Sequence, residues 1–188
     1  MPKLTVFNSV SLDGYFTGVD ADLSWAHAVP QDAEWTAFVN GNAGGEGPLL
    51  FGRITYDMMA AFWPTTAAAQ QMPEVAAGMN RLPKFVFSRS MKTSPWQNTT
   101  VLNADPVTEV QRLKQQPGGD ITILGSGTIV AQLTEAGLID AYQFVVVPVI
   151  LGRGRTMFEG VTARPVLKPT RSRTFANGNV VLWYESPG

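Results

Sequence analysis

Two hydrophobic patterns alternate along the chain. Short continuous apolar runs predict β-strands at residues 4–10, 48–51, 84–87, 99–102, 120–124 and 141–150. Apolar residues spaced by three or four positions predict helices at 32–40, 54–62, 106–116 and 128–136. Because strands and helices alternate, we expect an α/β fold with a mostly parallel sheet, helices on both of its faces and a single domain over residues 1–188.

The stretch from Asp120 to Gly160 carries the clearest of these patterns. A buried strand leads into Gly125-Ser126-Gly127, then into a short helix that ends at Gly137, and then into a second, almost wholly apolar strand. This order predicts a βαβ unit with a right-handed crossover. A glycine turn at a helix start leaves backbone N–H groups uncovered, and the helix dipole favours an anion there. The turn therefore indicates a phosphate site, with a merely tight chain reversal as the alternative.

The remaining segments predict connections and one hairpin. Residues 171–175 and 180–184 pair around Asn177-Gly178 and supply an antiparallel strand that closes the sheet. Residues 20–30 have no clear period and predict a loop with the only histidine, His27. Residues 65–81 predict a helix broken at a proline, which could be a lid, an interface or packing. Residues 152–155 predict a mobile basic loop.

Composition narrows the classes of function. The chain has 188 residues, of which 45% are hydrophobic and 15% charged, as in globular proteins. A net charge of −1 argues against a broad basic surface for nucleic acid or anionic lipid. The absence of cysteine excludes disulfides, thiol catalysis and cysteine-ligated zinc, and we expect no metal site. The first apolar run meets Asn8 too soon for a signal peptide or membrane span, so we expect a cytoplasmic protein.

Three predicted strands end in residues suited to anions. In parallel α/β sheets, ligands collect at the carboxyl ends of the strands. Those ends carry Gly52-Arg53-Ile54-Thr55, Ser88-Arg89-Ser90 and Gly125-Ser126-Gly127-Thr128. Arginine and serine suit a 2′-phosphate and a glycine turn suits a pyrophosphate, so the set indicates a dinucleotide with an extra phosphate. Each motif alone also has an ordinary explanation, because surface arginines form ion pairs and loop serines are commonly solvated.

Four short motifs span nearly the whole chain in order. They are Ser11-Leu12-Asp13-Gly14, Leu50-Phe51-Gly52-Arg53-Ile54-Thr55-Tyr56, Ile123-Leu124-Gly125-Ser126-Gly127 and Pro148-Val149-Ile150-Leu151-Gly152. As a set they resemble the dihydrofolate-reductase-like superfamily, most closely the branch related to the reductase domain of bacterial riboflavin biosynthesis. The resemblance implies a three-layer fold, NADPH as hydride donor and a homodimer.

The same resemblance implies a role for each matching residue. The adenosine end of NADPH and its 2′-phosphate would lie against Gly52, Arg53, Thr55, Ser88, Arg89 and Ser90. The pyrophosphate would lie against Gly125, Ser126, Gly127 and Thr128. The backbone of Ser9 and Phe16 would meet the nicotinamide carboxamide. The substrate would lie against Asn8, Ser11, Asp13 and the helix that begins at Asp32.

The proton donor is less well defined. The segment from Pro30 to Trp35 is similar to the one that carries the acidic residue of classical dihydrofolate reductases. A buried Asp32 carboxyl there would bind a pterin-like ring and help deliver a proton to an imine nitrogen as hydride reaches the adjacent carbon. Asp13 is a rival carboxylate for the same role. The ordinary alternatives are that Asp32 only caps its helix, that Asp13 only shapes an Asp-Gly turn, and that His27 is a loop residue and not a catalyst.

The leading hypothesis is therefore an NADPH-dependent reductase of a small heterocycle, pterin-like or derived from a pyrimidine, which transfers hydride to a C=N or C=O bond. Two alternatives stay open: a nucleotide-binding protein without turnover, and a flavin-binding protein that uses the same turns. Without cysteine, the zinc deaminase domain that accompanies the riboflavin reductase is not expected within this chain. That difference and the basic loop leave the substrate less defined than the cofactor.

Overall fold

Eight strands form one sheet in the computed structural model, which describes residues 1–187. The strands are β1 (Leu4–Ser11), β2 (Leu49–Gly52), β3 (Lys84–Phe87), β4 (Thr99–Leu102), β5 (Ile121–Leu124), β6 (Ala141–Val147), β7 (Lys168–Thr174) and β8 (Val180–Glu185). The helices are α1 (Ala33–Ala43), α2 (Arg53–Phe62), α3 (Thr66–Gln71), α4 (Pro73–Arg81), α5 (Pro106–Lys114) and α6 (Gly127–Glu135).

The sheet is parallel over most of its width. Its strand order is β4-β3-β2-β5-β1-β6-β8-β7, and the pairs from β4 to β6 are all parallel. β8 runs antiparallel to both of its neighbours, β6 and β7. The predicted α/β fold with an antiparallel closing strand is therefore confirmed. The unit β5–α6–β6 passes over β1, because β1 pairs with both β5 and β6.

Alternating side chains divide the core between the two faces of the sheet. Along β2, Leu50 packs with side chains of α5 and α6, whereas Leu49 and Phe51 pack with side chains of α2 and α4. We call these the α6 face and the α1 face. On the α1 face, Trp35 of α1 packs against Val145 and Val147 of β6, both almost fully buried. Each fully buried aliphatic side chain contributes roughly 1.5–3 kcal/mol to folding.

Most predicted boundaries agree with the structure, and three segments add detail. β6 ends at Val147 and not at residue 150, because Pro148 interrupts the ladder and the N–H of Val149 turns back to the Val147 carbonyl at 2.8 Å. The predicted loop at 20–30 holds two 3₁₀ turns, Val19–Ala21 and Ser24–His27. Residues 65–81 form α3 and α4, which are separated by the predicted break at Pro73. Within residues 1–187, no helix combines the length and hydropathy needed to cross a bilayer.

Candidate active site

A crevice opens where β1 and β5 part at their carboxyl ends. β1 leads to α1 on one face of the sheet, while its neighbour β5 leads to α6 on the other. Pairing between β1 and β5 ends at Phe7–Leu124, whereas pairing between β1 and β6 continues to Ser11–Val147. The last residues of β1 therefore have no strand beside them on the β5 side. Such switch points are the places where open α/β sheets bind ligands.

The glycine turn between β5 and α6 is held in a strained conformation. Gly125 and Ser126 both have left-handed backbones, with φ of 60° and 64°. A Cβ on Gly125 would lie 2.5 Å from Cγ2 of Thr55, so only glycine fits. The buried side chain of Asn8 brackets the same residue: its Oδ1 accepts from the Gly125 N–H at 2.6 Å, and its Nδ2 donates to the Gly125 carbonyl at 3.1 Å. Asn8 is predicted to contact substrate, but in the structure both polar atoms of its amide hold the turn in place.

Two helix N-termini converge beside this turn. Oγ of Ser126 accepts from the N–H of Gly52 at 2.6 Å, and the N–H of Ser126 donates to Oγ1 of Thr55 at 3.0 Å. These bonds lock the start of α6 to the start of α2. Amides in the first turn of a helix have no intrahelical partner, and each helix dipole places partial positive charge at its N-terminus, here at two adjoining N-termini. The geometry suits a phosphate, held by the amides of residues 53–55 and 127–129.

The third predicted turn lies next in line along the same edge. Phe87 of β3 pairs with Gly52 of β2, so Ser88 follows directly beside the start of α2. Oγ of Ser88 accepts from the backbone N–H groups of Ser90 and Met91 at 3.3 and 3.0 Å and so shapes the turn. Arg89 and Ser90 are exposed. The turns after β3, β2 and β5 are therefore neighbours, as the phosphate hypothesis requires.

Arg53 already has a partner within its own helix. Its Nη1 lies 2.8 Å from Oδ2 of Asp57, and each of these side chains is 49% exposed. An exposed pair one helical turn apart contributes only about 0.3–0.5 kcal/mol. A phosphate would therefore compete easily with Asp57 for this guanidinium. The position of Arg53 is compatible both with an ordinary surface ion pair and with binding of the 2′-phosphate.

Backbone groups on the β1 side of the crevice differ in availability. The carbonyl of Lys3 points towards β5 and that of Leu4 points towards β6. Backbone groups alternate in this way along a strand, so those of the odd-numbered residues of β1 point towards β5. Ser9 lies beyond the end of β5, and its backbone therefore points into the crevice. The N–H of Phe16 instead donates to the carbonyl of Arg155 at 2.8 Å. The Phe16 ring packs against Gly127, where an added Cβ would lie 3.3 Å from it. Thr128, the other residue predicted here, is exposed on the first turn of α6.

The two predicted carboxylates both stabilise local structure. Asp13 accepts from Oγ of Ser11 at 2.7 Å and from the N–H groups of Leu151 and Gly152 at 3.1 and 2.7 Å. The hydrogen bond from Ser11, and then those from the two amides, lower the pKa of Asp13, which makes it a poor proton donor. Asp32 is only partly buried, and not buried as predicted, because it lies at the start of α1, where its Oδ1 caps the helix by accepting from the Trp35 N–H at 2.8 Å. His27 is exposed.

Sequence reasoning missed the contacts that fasten residues 148–167 to β1 and to the two ends of α6. Sδ of Met157, a buried residue, lies 3.5 Å from Nδ2 of Asn8. The Glu135 carboxylate accepts from the N–H and hydroxyl of Thr162 and from the N–H of Ala163, at 2.7–3.0 Å. These hydrogen bonds lower the pKa of Glu135. No local sequence pattern predicts these contacts, because the partners are far apart along the chain.

The family of the protein follows from a comparison with known domains. The model of the RibD C-terminal domain matches residues 2–181. The chain belongs to the RibD C-terminal domain family. This confirms the resemblance inferred from the four motifs. The protein YyaP of Bacillus subtilis (strain 168), itself uncharacterized, is 29% identical over 180 residues, which are 96% of this chain and 93% of YyaP.

Solved structures agree on the fold. RibD from Acinetobacter baumannii aligns with a TM-score of 0.70 at 17% identity, over 100% of this chain and 58% of that one. Dihydrofolate reductase from Enterococcus faecalis, complexed with NADP(H), aligns with a TM-score of 0.66 at 12% identity, over 99% of this chain and 97% of the reductase. At such identities the likeness establishes a dihydrofolate-reductase-like fold and nothing further.

Proposed function

We propose that the protein is an NADPH-dependent reductase of a small heterocycle of pterin or pyrimidine type, acting on a C=N or C=O bond. The observation that carries the proposal is the locked pair of helix N-termini beside the crevice between β1 and β5. Membership of the RibD C-terminal domain family supports an oxidoreductase. The fold shared with a dihydrofolate reductase that binds NADP(H) supports a nicotinamide cofactor.

The cofactor would lie across the carboxyl ends of β3, β2 and β5. The first-turn amides of α6, next to Gly125, Ser126 and Gly127, would hold the pyrophosphate. Arg53, Thr55 and the turn from Ser88 to Ser90 would surround the adenosine end, and the two arginines would bind its 2′-phosphate. The bound nicotinamide supplies the hydride, and the chain supplies orientation and shelter from water.

The substrate would lie on the α1 face, against the last residues of β1. Ser9 and Ser11 project to that face, because their sheet partners Val145 and Val147 pack with Trp35 of α1. Asp32, at the start of the same helix, is the predicted proton donor. A homodimer, implied by the same family resemblance, stays a prediction.

Calorimetry tests the cofactor assignment directly. NADPH should bind at least about tenfold more tightly than NADH, because only NADPH carries the 2′-phosphate that two arginines can bind. Replacing both residues, Arg53→Ala with Arg89→Ala, should abolish this preference.

The control for that experiment is Arg112→Ala. Arg112 is a similarly exposed arginine, 51% exposed, and its Nη2 lies 2.7 Å from the carboxylate of Glu109 on α5. Its removal should leave the NADPH preference unchanged. Equal affinity of the unmodified protein for NADPH and NADH would contradict the 2′-phosphate assignment.

A second candidate is a nucleotide-binding protein without turnover. The observation in its favour is that Asp13 and Asp32 both have hydrogen-bond partners in the fold. NADPH oxidation in the presence of dihydropteridines, ribosylaminopyrimidine phosphates and simple imines separates the two. Turnover that falls sharply in Asp32→Asn supports a reductase. Tight NADPH binding without oxidation by any of these compounds favours the binding protein, and a yellow protein on purification indicates flavin.

A further inference from the structure

The turn after β3 is held from outside by a residue that no sequence motif predicts. Asn103 directly follows β4, the strand that pairs with β3 at the edge of the sheet. Its Nδ2 donates to the carbonyl of Ser88 at 2.5 Å and to that of Met91 at 3.2 Å. An amide nitrogen carries two hydrogens, so one side chain can hold both ends of the four-residue turn 88–91.

The same turn is held from inside by Ser88. Its Oγ accepts from the N–H groups of Ser90 and Met91, and its own N–H donates to the carbonyl of Leu102 at 3.0 Å. The hydroxyl, N–H and carbonyl of Ser88 therefore all have partners. By contrast, Arg89 and Ser90 are exposed at the tip of the turn. The backbone is fixed while these two residues stay accessible to a ligand.

The rest of the connection between β3 and β4 is fastened elsewhere. Oγ of Ser94 forms a hydrogen bond with the hydroxyl of Tyr56, a buried residue of α2. Nδ2 of Asn98 donates to two carbonyls at the end of α4, at 3.3 and 3.1 Å. Asn98 thus makes the same kind of contact as Asn103, with one amide on two carbonyls. Because it precedes β4, it lies at the opposite end of the sheet from the turn 88–91.

A fixed turn matters for binding an anion. Ordering a flexible backbone costs free energy at each residue, and a ligand that must order its own site binds more weakly. The contacts of Asn103 make this ordering part of folding and not part of ligand binding. The turn 88–91 lies beside the start of α2, where Arg53 is placed, because Phe87 pairs with Gly52.

We propose that Asn103 is a positioning residue that sets the preference of the cofactor site for a 2′-phosphate over a 2′-hydroxyl. It contacts no ligand itself. It holds the turn 88–91 so that Arg89 and Ser90 meet the phosphate without rearrangement. This rests on the proposed function, and it names a determinant of cofactor choice within that site. NADH has a hydroxyl in place of the phosphate, so its affinity should depend little on the turn.

Calorimetry with two cofactors tests the proposal. In Asn103→Ala, the affinity for NADPH should fall about tenfold, because the two hydrogen bonds that fix the turn are lost. The affinity for NADH should change by less than about twofold, because NADH lacks the group that the turn binds. Adenosine 2′,5′-bisphosphate and AMP should repeat this contrast without a nicotinamide. A merely structural role of Asn103 would weaken both members of each pair equally.

Limited proteolysis provides a readout of the turn itself. Trypsin cleaves after arginine, and cleavage of a folded chain requires local opening. Hydrolysis of the bond between Arg89 and Ser90, followed by mass spectrometry, should be several-fold faster in Asn103→Ala. In the unmodified protein, NADPH should slow this cleavage more than an equally saturating concentration of NADH.

Asn98→Gly is the matched control. Glycine keeps the left-handed backbone of Asn98, with φ of 58°, and removes only the amide. Both the NADPH preference and the cleavage after Arg89 should be unchanged in this variant. Persistence of the preference in Asn103→Ala, with or without faster cleavage, overturns the proposal, as does an equal loss of NADPH and NADH affinity. Failure of the cofactor assignment shows separately, as equal affinities in the unmodified protein, and removes the proposal with it.

Discussion

The two halves of the candidate site differ in composition: one is formed mainly by backbone groups and the other by side chains. The half proposed for the cofactor consists largely of backbone, with helix amides, a left-handed glycine turn and two hydroxyls that fasten one turn to the other. The half proposed for the substrate consists of side chains from β1 and α1, which only the folded chain brings together. A site made of backbone tolerates few substitutions at its glycines, whereas a site made of side chains can change its ligand by single exchanges.

The largest expected effect is on the cofactor half, in Gly125→Ala. The new Cβ would meet Thr55 at 2.5 Å, in addition to the strain of a left-handed alanine. We expect a loss of about 3 kcal/mol in unfolding free energy and loss of NADPH binding. Urea denaturation and calorimetry measure the two effects.

Gly137→Ala is the matched control for that substitution. Gly137 has a similar φ of 66° but nothing within 4 Å of an added Cβ. It should cost only about 1 kcal/mol and leave cofactor binding intact. Equal effects of the two substitutions would mean that the contact with Thr55 has no importance.

The next effect concerns the residue that joins the halves. Asn8→Ala leaves the N–H and carbonyl of Gly125 without their partners at 2.6 and 3.1 Å. We expect a loss of about 2–3 kcal/mol in stability and a weakening of NADPH binding of about tenfold, because the turn loses its fixed conformation. If NADPH binding is unchanged while affinity for the heterocycle falls, Asn8 contacts substrate as the sequence predicted.

A smaller effect is expected from Thr55→Val, which keeps the shape and removes the acceptor of the Ser126 N–H. The loss should be about 1 kcal/mol in unfolding free energy, with a few-fold weaker NADPH binding. Thr108→Val, at the exposed start of α5, is a control for loss of a hydroxyl away from the site. A Thr55 effect no larger than the Thr108 effect would remove Thr55 from the cofactor half.

The smallest effect is on the pH dependence of stability and involves Asp13. Its pKa is lowered in the fold, so its carboxylate stabilises the native state above the ordinary value of 3.8 and loses that contribution as the pH falls through the lowered native value. The Tm difference between the unmodified protein and Asp13→Asn should therefore be constant near neutrality and shrink below about pH 4. A difference that grows on acidification would contradict the lowered pKa.

The sequence predicted the features formed by backbone better than the contacts formed by side chains. Gly125, Gly137 and the β-branched strands leave local patterns, so the elements, the fold and the neighbouring turns were predictable from short-range rules. The partner of Asn8 in the glycine turn lies 117 residues away, and its other contact, Met157, lies 149 residues away. Periodicity along the chain does not predict such long-range contacts. The sequence therefore predicted where the turns lie, and not which side chains hold them in place.

The two faces of β1 belong to different halves of the candidate site. Asn8 reaches the glycine turn on the α6 face, while Ser9 and Ser11 project to the α1 face. Inserting or deleting one residue within this strand would exchange the two sets, so both proposed binding functions should be lost together. The length of β1 should therefore tolerate insertion and deletion far less than the loops at its two ends.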